Sequence, residues 1–314
     1  MPRLIFIFLD GVGIGKPESG NPFYRAKAPY LPFYDQKTTW PDQTPVKSID
    51  PLLGIPGLPQ SATGQTTLYT GKPVPVLLNR HQGTTPTKFM RKIIREYNLI
   101  SLLEKNRIMA TFINAYPVFA RYFNCGHVKI EEDGRLVFSS EFPEMFKKRI
   151  SVTSCMMISS RLNPFDEHDI LAGRSIYQDY SNRELNRRGL SLPEFSPEKA
   201  AEIIFKQSRQ YDFMLYEYFQ TDIYAHRKTI AECTELIKKM DRLIERLVNR
   251  LDQRTDTLLI TSDHGNLEDC GIRSHTLNPV PLIVWGKGCQ QLNDSISTIA
   301  DVTPAIARFF SISD

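Results

Sequence analysis

Residues 258–266, LLITSDHGN, constrain the fold of this chain more than any other stretch. An apolar run breaks directly into Ser262, Asp263, His264 and Gly265, the pattern of a buried strand that delivers a carboxylate and an imidazole to its C-terminal edge. Open α/β sheets bind ligands at that edge. Other segments repeat the pattern. Residues 4–9 form a short β-branched and aromatic run ending in Asp10-Gly11, and residues 213–218 (FMLYEY) lead into Asp222 and His226. Those two are four apart, so a helix starting there would place both on one face. Residues 108–115 and 282–285 read as further buried strands, the latter preceded by a loop that carries His275.

Helical patterns alternate with these strands. Residues 230–251 carry an apolar stripe, residues 87–105 are basic and amphipathic, Ser196-Pro197 is a capped helix start, and a last helix follows Thr303-Pro304. The alternation predicts an α/β fold, a mostly parallel sheet with helices on both faces. Periodicity weakens between 116 and 160, where a hairpin is expected around Asp133-Gly134. The expected organisation is a core of residues 1–115 and 161–314 with a small inserted cap at 116–160.

Charge and cysteine usage exclude several classes. Thirty-nine basic against 35 acidic residues leave a net +4, too mild to argue for nucleic acid. The five cysteines are odd in number, widely spaced and lack a CxxC pair, so neither a disulfide framework nor a zinc ribbon is expected, and a reducing, cytoplasmic setting fits. The N-terminal apolar run is too short for a signal sequence, and no run approaches the roughly 18 apolar residues of a membrane span, so a soluble protein without a membrane partner is expected. Nothing in the sequence fixes an oligomeric state.

Strand ends thus deliver Asp10, Asp222, His226, Asp263 and His264, with His275 in a loop. Ser61 follows a turn at Gly57 and Pro59 and opens a short helix that stops at Gly71. A serine there is either an ordinary N-cap or a nucleophile whose alkoxide the helix N-terminus stabilises. The nearby GVGIG lacks the spacing of a dinucleotide loop. Mixed Asp and His ligands without thiolate suit Zn²⁺ or Mn²⁺, and seven ligands divide naturally between two adjacent ions. Two divalent metals and a serine are the parts of a phosphoryl-transfer site.

These residues resemble the alkaline phosphatase superfamily, and most closely its metalloenzyme branch of cofactor-independent phosphoglycerate mutase and phosphopentomutase. TSDHGNLED resembles the signature ADHGN-x-E, SHTLNPVPLIVWG looks like HTTNPVP followed by a strand, DIYAH is similar to D-x-x-G-H, and FLDGVGIG matches the strand-Asp-Gly start. Ser61-Ala-Thr-Gly64 aligns with the nucleophile segment, and the step from Ser61 to Gly71 resembles the nucleophile-to-LxTG spacing, which favours Ser61 over Thr63 and Thr66. The resemblance implies that Asp222, His226 and His275 hold one metal, that Asp10, Asp263 and His264 hold the other, and that Ser61 bridges toward phosphorus. The chain departs from the mutases at Ala225, where they usually have glycine, and at Gln65, where they have histidine.

Mutases of this branch carry a large cap after the nucleophile helix, whereas core elements account for most of the chain after Gly71. The expected function is therefore a two-metal-dependent phosphoesterase acting on a small phosphorylated substrate through a phosphoserine. A phosphomutase is the alternative, and a non-catalytic metal-binding homologue a third. A sulfatase fits less well, because no CxPxR context surrounds the serine. Arg80, Arg91, Arg95, Arg121 and Arg174 are candidate substrate contacts that the sequence does not rank.

Overall fold

The computed structural model describes residues 2–35 and 38–312. Its main sheet has six strands in the order β2-β8-β7-β1-β6-β3. In chain order these are β1 (Arg3–Leu9), β2 (Lys47–Ile49), β3 (Ala110–Phe112), β6 (Phe213–Tyr218), β7 (Asp256–Thr261) and β8 (Val280–Gly286). A separate hairpin pairs β4 (Val128–Ile130) with β5 (Leu136–Phe138). β1 lies at the centre, parallel to β6 on one side and β7 on the other, and β3 is parallel to β6. β8 runs antiparallel to β7, and β2 antiparallel to β8.

The alternation of β1 explains why helices cover both faces. Ile5, Ile7 and Leu9 point into one core cluster, which the helices Pro197–Ser208 and Ile230–Val248 complete. Leu4, Phe6 and Phe8 point into the other, packed by the helices Ser61–Thr70, Leu99–Lys105 and Val302–Phe309. All residues of β1 after Arg3 are buried, so its near-continuous apolar sequence is what a central strand covered twice requires.

This is the expected mostly parallel α/β architecture, with differences of detail. The amphipathic stretch 87–105 is two helices, Lys88–Tyr97 and Leu99–Lys105, meeting at Asn98. The Asn98 amide closes the first by donating to the Ile94 carbonyl at 2.8 Å and caps the second by accepting from the Ser101 N–H at 2.9 Å. The strand expected at 108–115 spans only Ala110–Phe112. The last helix begins at Val302, so Pro304 sits within its first turn. Within 116–160 the hairpin forms as expected, and Val128, Ile130, Cys155, Met156 and Met157 join the same core cluster as Leu99 and Leu103. Among the described residues no helix is long and apolar enough to cross a membrane.

Candidate metal centre

Strand direction brings the predicted residues together. β1, β6 and β7 are parallel, so Asp10, Asp222 and the pair Asp263-His264 leave the sheet at one edge. β8 is reversed, so it enters the sheet at that edge, and His275 arrives from the loop before it. The helix Gln220–Arg227 sets Asp222 and His226 one turn apart, with His226 Nε2 3.4 Å from Asp222 Oδ1.

The result is two trios. Asp222, His226 and His275 present ligand atoms within 4.8 Å of one another, and Asp10, Asp263 and His264 do the same. The trios adjoin through the rings of His264 and His275, stacked with centroids 3.8 Å apart. Ser61 is the first residue of its helix and Gln60 is the N-cap, so Ser61 is not an ordinary N-cap. Its hydroxyl lies instead 3.0 Å from His264 Nε2.

Hydrogen bonds behind the ligands fix which nitrogen faces inward. His275 Nδ1 meets the Pro59 carbonyl at 2.6 Å, His226 Nδ1 the Arg273 carbonyl at 3.0 Å, and His264 Nδ1 the Gly265 carbonyl at 3.3 Å. A carbonyl only accepts, so each Nδ1 carries the proton and each Nε2 offers a lone pair to the centre. Asn266 Nδ2 donates to both Asp222 Oδ1 (2.7 Å) and His226 Nε2 (3.1 Å), occupying the position of an electrophile between two ligands.

The electrostatics call for cations. Burial pushes the Asp10 carboxyl well above its ordinary range, and the carboxylates of Asp263, Asp222 and Glu217 push it further. Asp263 rises to about 7, from burial first and then Asp222. Burial lowers the pKa of His264 and of His275, keeping both imidazoles neutral. Asp263 Oδ2 is fully buried and has no hydrogen-bond partner among the described residues. Crowded carboxylates, neutral imidazoles and an orphaned buried oxygen are a donor set that divalent metal ions fit.

The glycines of GVGIG serve close approach rather than a nucleotide. A Cβ on Gly11, at φ +65°, would lie 2.6 Å from Asp222 Oδ1, and one on Gly13 would lie 2.2 Å from Glu268 Oε1. Glu268, unassigned by the sequence reading, ties this loop to the DHGN loop. Its Oε2 accepts from the N–H groups of Gly13 (2.7 Å) and Asn266 (2.8 Å), and its Oε1 from the Thr276 hydroxyl and Asn278 Nδ2 (3.0 Å). Four donors surround one buried carboxylate, so Glu268→Gln turns an amide N–H₂ against them. We expect a loss of about 2–4 kcal/mol, measured by urea unfolding of the metal-free protein. Gln65 occupies the position where the resemblance has a histidine, and its Nε2 donates to Asp10 Oδ1 at 3.4 Å.

A cavity of about 330 Å³ opens from Asp10 and is walled in part by Tyr116, Phe119, Arg149, Tyr177 and Arg188. None of the five arginines singled out from the sequence lines it. Arg91 is tied to the Gly134 and Pro86 carbonyls, Arg174 pairs with Asp169, and Arg121 lies over the Tyr122 ring. Arg80 hydrogen-bonds Gln82, and Arg95 borders a different cleft.

Residues 191–314 match the sequence pattern of the metalloenzyme superfamily. Over 120 residues the chain is 27% identical to a 2,3-bisphosphoglycerate-independent phosphoglycerate mutase of Desulforudis audaxviator, covering 36% of this chain and 24% of that one. A mutase of Pseudomonas fluorescens is 28% identical over 130 residues, 39% of this chain and 25% of its own. The chain thus spans about a quarter of the length of these relatives. Among solved structures, a protein from Pyrococcus horikoshii superposes with a TM-score of 0.57 at 13% identity, covering 100% of this chain and 98% of that one. The alkaline phosphatase of the Antarctic bacterium TAB5 gives 0.53 at 11%, with both chains covered completely. The fold is therefore alkaline phosphatase-like. Residues 191–314 carry the likeness to the metalloenzyme branch.

Proposed function

We propose that the chain is a two-metal-dependent phosphoesterase that acts through a phosphoserine on Ser61. The observation that carries this reading is the convergence of Ser61 Oγ on His264 Nε2 at 3.0 Å, beside two trios of oxygen and nitrogen donors. Asp222, His226 and His275 would hold one ion, and Asp10, Asp263 and His264 the other, with Ser61 adjoining the second. Bound divalent ions, Mn²⁺ or Zn²⁺, would supply Lewis-acid stabilisation of the phosphoryl oxygens and favour the serine alkoxide.

The chain's own residues do the rest. Ser61 starts its helix, so the positive end of the helix dipole favours a phosphoryl group there. The serine hydroxyl gives up its proton to solvent as its oxygen attacks phosphorus, the bond from phosphorus to the substrate alcohol breaks, and the departing alkoxide takes a proton from water. Water then attacks the phosphoserine, releasing inorganic phosphate and restoring the hydroxyl. The carbonyl-anchored imidazoles hold the ligand geometry through both steps.

Hydrolysis is favoured over mutase transfer because the segment 116–160, read as a cap, is short, and little beyond it and the stretch 166–189 is available to exclude water. The phosphomutase reading draws support from the relatives named above, which are mutases. Incubation with Mn²⁺ or Zn²⁺ and a panel of phosphomonoesters, diesters and sugar phosphates separates the two. We expect metal-dependent release of inorganic phosphate. Isomerised product without free phosphate overturns the hydrolase reading in favour of the mutase.

A further inference from the structure

The cavity that opens from Asp10 has a composition that speaks to the substrate. Tyr116, Phe119, Tyr177 and Phe219 contribute aromatic walls, the first two with ring centroids 6.4 Å apart, and Ala115, Pro117, Val118, Leu185 and Ile223 add aliphatic surface, so nine of the fifteen lining residues are aromatic or aliphatic. Its neutral polar groups are few and partly engaged with one another. Ser151 and Ser154 hydrogen-bond one another at 3.1 Å, and Gln178 Nε2 donates to the Tyr177 hydroxyl at 3.4 Å. A polyol in this chamber would lose water from its hydroxyls and find few groups to replace it. A flat apolar body would not.

The two cations of the wall differ. Arg188 is held by Glu184 at 3.1 Å. The guanidinium of Arg149 has no hydrogen bond or ion pair among the described residues. An uncommitted guanidinium beside an aromatic chamber is a receptor for an anionic group, since its planar fork matches a carboxylate or phosphate.

We propose that this cavity receives the alcohol portion of the substrate, and that the substrate class is a phosphomonoester whose alcohol combines a flat, aromatic body with a second anionic group met by Arg149. The inference rests on the phosphoesterase reading above and narrows it. A volume of about 330 Å³ accommodates one such small molecule.

The test compares kcat/KM of the metal-loaded protein for 4-carboxybenzyl phosphate, benzyl phosphate and glycerol 3-phosphate. All three are esters of primary alcohols, so intrinsic leaving-group ability differs little among them. We expect kcat/KM to fall by at least about tenfold at each step in that order. Arg149→Ala should reduce the first step to less than about threefold, Arg149→Lys should recover part of it, and Phe119→Ala should shrink the second step. Glycerol 3-phosphate turned over as well as the benzyl esters overturns the proposal while leaving the phosphoesterase reading standing. If no ester turns over, the phosphoesterase reading fails, and binding decides the cavity assignment. Calorimetry with 4-carboxybenzylphosphonate and methylphosphonate then supports the assignment if the first binds at least about tenfold tighter with Arg149 present than in Arg149→Ala, and overturns it if the two bind alike.

Discussion

Replacing Ser61 with alanine is expected to lower phosphate release by at least about a thousandfold while the protein still binds its metals. The substitution removes one oxygen, the one 3.0 Å from His264 Nε2, and leaves both Asp and His trios intact. Metal content by elemental analysis, read beside phosphate release, separates loss of the nucleophile from loss of the centre. The neighbouring hydroxyls are poor substitutes. Thr63 Oγ1 donates to the Gln60 carbonyl at 3.0 Å and Thr66 Oγ1 to the Ala62 carbonyl at 2.6 Å, so both are bound to their own helix. Full activity in Ser61→Ala would nevertheless transfer the role to one of them.

The second large effect concerns Asp263, whose contribution to stability should change sign with metal. Its folded pKa is raised from 3.8 to about 7, chiefly by burial. A raised carboxyl contributes stability that is fully present below about pH 4 and is lost as pH rises through 7, because the folded state then carries a buried charge that the unfolded state solvates. Asp263→Asn removes that charge. In metal-free protein at pH 8 the variant should be more stable than the wild type by a few kcal/mol, and the difference should vanish by about pH 4. With saturating Mn²⁺ or Zn²⁺ the order should reverse, since the wild type gains binding energy that the variant forfeits. Urea unfolding at both pH values, with and without metal, measures all four differences. A metal-free variant less stable than the wild type at pH 8 would show that hydrogen bonding, not uncompensated charge, dominates at this position.

The strands and the residues of the two trios were legible because each announces itself within a short stretch of sequence. LLITSDHGN carries its strand and its two ligands in nine consecutive residues, and Asp222 and His226 announce a shared helix face by spacing alone. The break at Asn98 was legible in principle, since asparagine caps helices, but the apolar stripe runs through it and masked it. Glu268 lay within a motif that was noticed, yet three of the four donors it gathers, from Gly13, Thr276 and Asn278, sit on other segments, and no periodicity marks such a convergence. Arg149 was harder still. It stands in the stretch where hydrophobic periodicity fades, and its interest comes from what surrounds it in space. Arg91 and Arg174 looked equivalent in sequence and turned out to be committed to a backbone carbonyl and to an aspartate.

The central place of β1 bears on how this chain is made. Its sheet neighbours begin at Phe213 and Asp256, so RLIFIFL leaves the ribosome long before either can pair with it. Pairing at such sequence separation is slow, and an apolar segment waiting that long is prone to premature association. The centre's ligands straddle the same gap. The proposed capture of metal by both trios therefore requires a chain synthesised past His275, so the first-made strand waits for nearly the last-made loop before the centre can assemble.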